Sequence, residues 1–134
     1  MPNNIDALIF NKPQGSPPSI EWVATETLLI DEDYQRSLEH PISERLIRLM
    51  AVSWDWRLCS PLTVSRRSDD SLYVIDGQHR LAAAMLRGDL PHLPAIISRF
   101  ESVEEEARVF VAVNTVRRNT TPLDKFHEIG RAHV

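Results

Sequence analysis

Apolar residues recur at the spacing of one helix face over Ile42, Leu46, Leu49 and Met50, with Glu44, Arg45 and Arg48 elsewhere on the turn and Pro41 suited to the first helical position. The Trp54-Asp55-Trp56 segment ends that helix. The pattern then shifts to two short β-rich runs, Pro61–Arg66 and Leu72–Asp76. The polar string Arg67-Ser68-Asp69-Asp70-Ser71 between them reads as a hairpin-like connection. Glu26–Ile30 reads as an earlier strand leading to a turn at Asp31-Glu32-Asp33, and Pro94–Ser98 as a later strand. A helix runs from about Gly77 to a stop at Gly88. Another opens on the capping-box pattern Ser102-x-x-Glu105, with Val103, Ala107, Phe110 and Val111 on its inner face. Thr121-Pro122-Leu123-Asp124 opens a last helix in the same manner.

Residues 1–19 hold four prolines and little apolar periodicity, which predicts an irregular N-terminal arm ahead of a folded part spanning 20–134. The expected fold class is α+β: a single compact domain with a small mixed sheet of about four short strands packed with about four helices. At 134 residues, 43% hydrophobic and 25% charged, the chain has enough apolar material for one core. It shows no membrane-spanning run and no basic, apolar leader, so the expectation is a cytoplasmic protein with no membrane partner. The single cysteine, Cys59, excludes an internal disulfide and a cysteine-based zinc site, and reads as core packing. No two of the five histidines share a face of one predicted helix.

A net charge of −4 argues against a protein whose main task is clamping duplex DNA, since sequence-neutral affinity comes from neutralised phosphates. Locally the balance differs: Arg66, Arg67, Arg80, Arg99, Arg117 and Arg118 fall near predicted element ends, where a fold can gather them into a basic cleft. Glu104-Glu105-Glu106 is read as complementing the dipole of a helix start rather than as acid catalysis. Trp54 and Trp56 are read as core edge rather than as a base-stacking platform, and His92 as a loop residue.

The most telling stretch is Leu72–Arg80, a strand, a glycine turn and a helix opening on polar side chains. The first N–H groups of a helix attract an anion without a dedicated cation. Gly77 lets the chain approach a ligand closely, Gln78 and His79 add polar contacts, and Arg80 offers a planar charged fork to phosphate oxygens. Asp76 has two readings, as the N-cap of the helix or as a carboxylate that orients Arg80 or a metal.

The turn Asp76-Gly77-Gln78-His79-Arg80 resembles the glycine-arginine phosphate motif of the ParB/sulfiredoxin superfamily, and in particular the DGQHR variety of ParB-like N-terminal domains of mobile-element and DNA-modification systems. A second match, Asn114 to Asp124 with Arg117, Asn119 and Pro122 in register, follows the ParB segment Glu-Asn-x-x-Arg-x-Asp-Leu-x-Pro-x-Glu. Tyr34-Gln35-Arg36 is a third and weaker one. The resemblance implies that Gly77 and Arg80 hold nucleotide phosphates, that Asn114 helps bind magnesium, and that Arg117 and Arg36 add phosphate charge. Mg2+ with ATP or CTP is the implied cofactor set.

Two departures bear on chemistry. Sulfiredoxins place a catalytic cysteine directly after the turn glycine, and Gln78 stands there; ParB proteins have a glutamate before the asparagine, and Val113 stands there. Asp76 is the candidate to replace that carboxylate, with His79 the second catalytic candidate. The first reading is therefore a nucleotide-binding domain with weak Mg-dependent NTP hydrolysis or phosphotransfer. The second is a DNA-binding regulator or ParB-like nuclease, against which stand the lack of a dense acid cluster and of room for a helix-turn-helix after residue 130. The third is an interaction module with an inactive pocket. The oligomeric state stays open, a homodimer included.

Overall fold

The computed structural model describes residues 7–35 and 41–119, with side chains to position 115. Five strands form one sheet: β1 (Ser19–Ala24), β2 (Leu28–Leu29), β3 (Leu62–Arg66), β4 (Leu72–Asp76) and β5 (His92–Arg99). Their order across the sheet is β1-β5-β3-β4-β2. The sheet is mixed: β1 runs antiparallel to β5 and β3 antiparallel to β4, while β3 is parallel to β5 and β2 to β4. Among the described residues three α-helices accompany it, α1 (Pro41–Val52), α2 (Gln78–Arg87) and α3 (Val103–Asn119). The α+β class stands, with one strand more than expected; the helix anticipated at Thr121 lies outside the described residues.

The hairpin forms where its turn chemistry predicts. Arg67 N–H donates to Ser71 O (2.9 Å), Asp69 Oδ1 accepts from Ser71 N–H, and Asp70 takes the left-handed conformation at φ 68°. The first strands differ from expectation. Glu26 sits in a 3-10 turn, Thr25–Thr27, and the longer β1 precedes it. That strand escapes a pattern search because it is an edge whose large residues Ile20 and Trp22 face outward, leaving only Val23 buried.

The core gathers Leu62, Val64, Leu72, Val74, Leu93, Ala95 and Ile97 from the sheet beneath Leu81 and Ala84 of α2. Small residues along α2 accompany its close packing on α1, and Gly88 at φ 75° ends it by donating to Ala84 O. The apolar face of α1 behaves differently. Ile42 and Leu49 are each 62% exposed, because this face borders an open cleft rather than the core. His92 is the first residue of β5, not a loop residue. No helix among the described residues is long and apolar enough to cross a membrane.

Candidate functional site

The sheet delivers the chain to the site at the end of β4. Asp76 closes that interior strand, Gly77 follows at φ 111°, and α2 starts at Gln78. The N-cap position thus belongs to Gly77 and not to Asp76. Two constraints demand glycine here. Its φ is outside the range of ordinary L-residues, and a Cβ would lie 2.1 Å from Cδ2 of the fully buried Leu62.

Arg80 lies in the first turn of α2 and bends back over this corner. Its Nη1 donates to the carbonyls of Ser60 and Pro61, and its Nη2 lies 3.6 Å from Asp76 Oδ2. Arg80 therefore braces the loop before β3 while placing its charge beside the helix N-terminus. Asp76 stands at ion-pair distance from Arg80 and does not cap the helix.

The corner opens into a cleft of about 1270 Å³, larger than the ~300–1,000 Å³ common for small-molecule sites. Residues 75–80 supply its polar end. Ile42, Leu46, Leu49 and Met50 of α1 supply an apolar side, and Phe110, Val111, Asn114 and Thr115 of α3 another. Gln35 reaches the cleft as a buried residue whose amide donates to Val74 O of β4. Cys59 is half-buried at the cleft rather than in the core; burial pushes its thiol up, partly offset by the charge of Arg80. His79 Nε2 lies 3.2 Å from Ser43 Oγ of α1, and burial holds the imidazole below its ordinary value near 6.5. Asn114 lines the cleft, and its Nδ2 donates to Phe110 O (2.7 Å), so the amide oxygen is not used in that bond.

Behind the cleft lies a charged cluster that the sequence pattern did not reveal. Glu106 of α3 is 1% exposed and receives both Nε (3.1 Å) and Nη2 (2.7 Å) of Arg67. The same Nη2 reaches Asp31 Oδ2 at 2.6 Å, and Tyr34 Oη donates to Glu106 Oε2 at 2.5 Å. The Arg67 guanidinium lies 3.5 Å from the Tyr73 ring centroid. Burial pushes the Glu106 carboxyl up, but the hydrogen bonds from Arg67 and Tyr34 outweigh it and hold the group below its ordinary value. Burial together with the adjacent carboxylate pushes the Tyr34 phenol up. Tyr34 also packs its ring on Phe110 at 5.2 Å, so the cluster fixes α3 against the cleft.

The helix-dipole reading of the acidic triplet is therefore incomplete. Half of the anticipated capping box forms: Glu105 N–H donates to Ser102 Oγ, while the Glu105 carboxylate accepts from Glu101 N–H rather than from the N–H of Ser102. Glu106 instead points inward, with Phe110 and Asn114 one and two turns further along the same face. The anticipated inner residues Val103 and Val111 are 42% and 58% exposed.

Asp76, Gly77, Gln78, His79, Arg80 and Asn114 all line the one cleft. Arg36 and the side chain of Arg117 lie outside the described residues. The arginines expected to gather do not: Arg66 pairs with Glu21, Arg67 is spent in the buried cluster, and Arg99 pairs with Asp70 at the hairpin tip. Of the four described members of that group only Arg80 reaches the cleft. Trp54 packs at the core edge as expected, while Trp56 is exposed and stacks edge-on between Trp54 and Trp22. Among the described residues no three His, Cys, Asp or Glu side chains form a metal cluster. A hydrated Mg2+ needs few protein ligands, and an amide oxygen such as that of Asn114 is of the chemical type it takes.

No protein-family model matches the chain, and no curated protein does. Solved structures do. The chromosome-partitioning protein ParB from Caulobacter crescentus, C-terminally truncated and complexed with CTP-γ-S, matches with a TM-score of 0.58 at 18% identity, over 74% of this chain and 54% of that one. A pNOB8-like ParB N-domain matches with a TM-score of 0.55 at 21% identity, over 81% of this chain and 41% of that one. Sulfiredoxin from Arabidopsis thaliana matches with a TM-score of 0.52 at 22% identity, over 66% of this chain and 97% of that one. The fold is ParB/sulfiredoxin-like, and the chain spans about half or less of the ParB chains it matches.

Proposed function

We propose that this ParB/sulfiredoxin-like domain binds a nucleoside di- or triphosphate, with its phosphates at Gly77–Arg80. The observation that carries the reading is the corner itself: a strand end, a glycine whose Cβ has no room, and a helix N-terminus with an arginine facing one large cleft. The binding of a CTP analogue by a ParB of like fold supports it. In this scheme the amides of Gln78 and His79 and the charge of Arg80 hold phosphate oxygens, and Asp76 keeps Arg80 in place. Asn114 Oδ1 would be the protein's ligand to a magnesium ion bound with the phosphates, and that ion would supply charge neutralisation. Arg36 and Arg117 are proposed as further phosphate cations. The long apolar side of α1 suits the less polar end of the ligand, base and sugar.

Arg80→Ala is expected to weaken nucleotide binding by at least about 30-fold, since charge-assisted bonds contribute roughly 2 kcal/mol or more. Arg80→Lys, which keeps charge but not the fork, should fall between. Calorimetric titration with CTP, ATP, GTP and ADP, with and without magnesium, checks both. Equal affinity in wild type and Arg80→Ala, with both folded by circular dichroism, would remove the phosphate corner from the reading.

A further inference from the structure

The cleft contains a pair that phosphate binding does not require. Ser43 lies in the first turn of α1 and His79 in the first turn of α2, 36 positions apart in sequence, yet Oγ and Nε2 are 3.2 Å apart and both residues line the cleft. A hydroxyl within reach of an imidazole is the arrangement by which serine is made nucleophilic. Burial favours the neutral form of that imidazole, and in the tautomer with its proton on Nδ1 the Nε2 atom facing Ser43 accepts the serine proton. The base also stands in the first turn of α2, whose residues line the cleft together with Ser43, so a phosphate held at that helix start is near the hydroxyl. Of the other serines at the cleft, Ser60 uses its carbonyl to hold Arg80.

We propose that Ser43 is a phosphoryl-accepting nucleophile, with His79 as its base and the α2 N-terminal turn holding the phosphate it attacks. The donor rests on the nucleotide reading above. Ser43 Oγ forms a bond to the terminal phosphorus while the bond from that phosphorus to the bridging oxygen breaks. The serine proton passes to His79 Nε2, and the leaving nucleoside diphosphate keeps the bonding electron pair. The product is a phosphoserine at position 43. This chemistry needs neither the cysteine of sulfiredoxin-like turns nor a glutamate before Asn114.

Two arms test it. The first uses a monofluorophosphonate probe, which needs no nucleotide: Ser43 Oγ bonds to phosphorus, fluoride leaves and the proton goes to His79. A single adduct mapped to Ser43 is expected, absent in Ser43→Ala and formed at least about 100-fold more slowly in His79→Gln, which keeps a hydrogen-bonding side chain but no base. In the second arm the protein is incubated with CTP or ATP and Mg2+ and its intact mass followed. Gain of one phosphoryl group at Ser43 is expected, again lost in Ser43→Ala. Ser43→Ala and His79→Gln are confirmed as folded by circular dichroism, and Ser43→Thr, which restores a hydroxyl, should regain the adduct if the alanine variant is unstable. No adduct at Ser43, or equal rates in His79→Gln, overturns the proposal whatever the nucleotide result. An adduct with bound nucleotide but no phosphoserine overturns the phosphoryl step and leaves nucleotide binding standing. Absence of nucleotide binding in the calorimetry removes the donor and with it both readings.

Discussion

Gly77→Ala is expected to lower stability by about 3 kcal/mol, from about 1–2 kcal/mol of backbone strain and a comparable overpacking cost. The added methyl would overlap Leu62 Cδ2 at 2.1 Å and approach Arg80 Nη2 at 3.1 Å. Leu62 cannot yield cheaply, because it is 1% exposed and lies in the middle of the core. The drop in Tm should be on the order of 10 °C, and nucleotide affinity should fall with it as the α2 N-terminus shifts. Gly88 is the matched comparison. It also has positive φ, at 75°, but open space where its Cβ would go, so Gly88→Ala should cost only about 1 kcal/mol. Thermal denaturation of the two variants side by side checks the ranking; equal losses would mean that the close approach at Gly77 is not a constraint.

Glu106→Ala is expected to cost about 3–5 kcal/mol, the range for removing one partner from a buried ion pair. The loss falls on Arg67, which would keep Asp31 but lose its two bonds to Glu106, and on Tyr34, whose hydroxyl would be left in a half-buried site. Replacing Glu106 and Arg67 together by leucine and methionine should cost less than the sum of the single changes, and a double-mutant cycle measures that difference. The same cluster sets a pH dependence. The folded-state values of Glu106 and Asp31 lie below their ordinary ones, Glu106 through its hydrogen bonds and Asp31 through Arg67, so both carboxylates bind protons less readily folded than unfolded. Their contribution to stability is present at neutral pH and is lost as the pH falls below the ordinary values near 4.5 and 3.8. Unfolding free energies from denaturant titration should therefore fall more steeply between pH 5 and 3 for wild type than for Glu106→Ala.

What the sequence displays and what it hides divides along a physical line. The β3–β4 hairpin, the corner after it and the capping box of α3 are decided by neighbours in sequence, through turn residues, a glycine and a Ser/Glu pair, and these are legible. The buried cluster is far less so, because Arg67 and Glu106 are 39 positions apart and residue type does not distinguish the inward glutamate from its neighbours Glu104 and Glu105. The Ser43 to His79 pair is hidden for the same reason. An apolar stripe on α1 announces a buried face, yet a stripe bordering a cleft has the same period as one facing a core. A signal for Glu106 did exist in outline: position 106 is followed at helical spacing by Phe110 and Asn114, and Asn114 belongs to the second motif. The arginines near element ends were visible, but their carboxylate partners came from other strands and turns, so an expected basic cleft became a set of separate ion pairs.

The claim at the centre is that the turn at Gly77 receives the phosphates of a nucleotide, and an amide NMR titration of the full chain with CTP and Mg2+ tests it most directly. The account predicts saturable shifts that are largest at the backbone amides of Gly77, Gln78, His79 and Arg80 and at the side-chain amide of Asn114, with the exposed edge strand β1 unmoved. Shifts confined to other faces, or none at these five positions at saturating nucleotide, would contradict it.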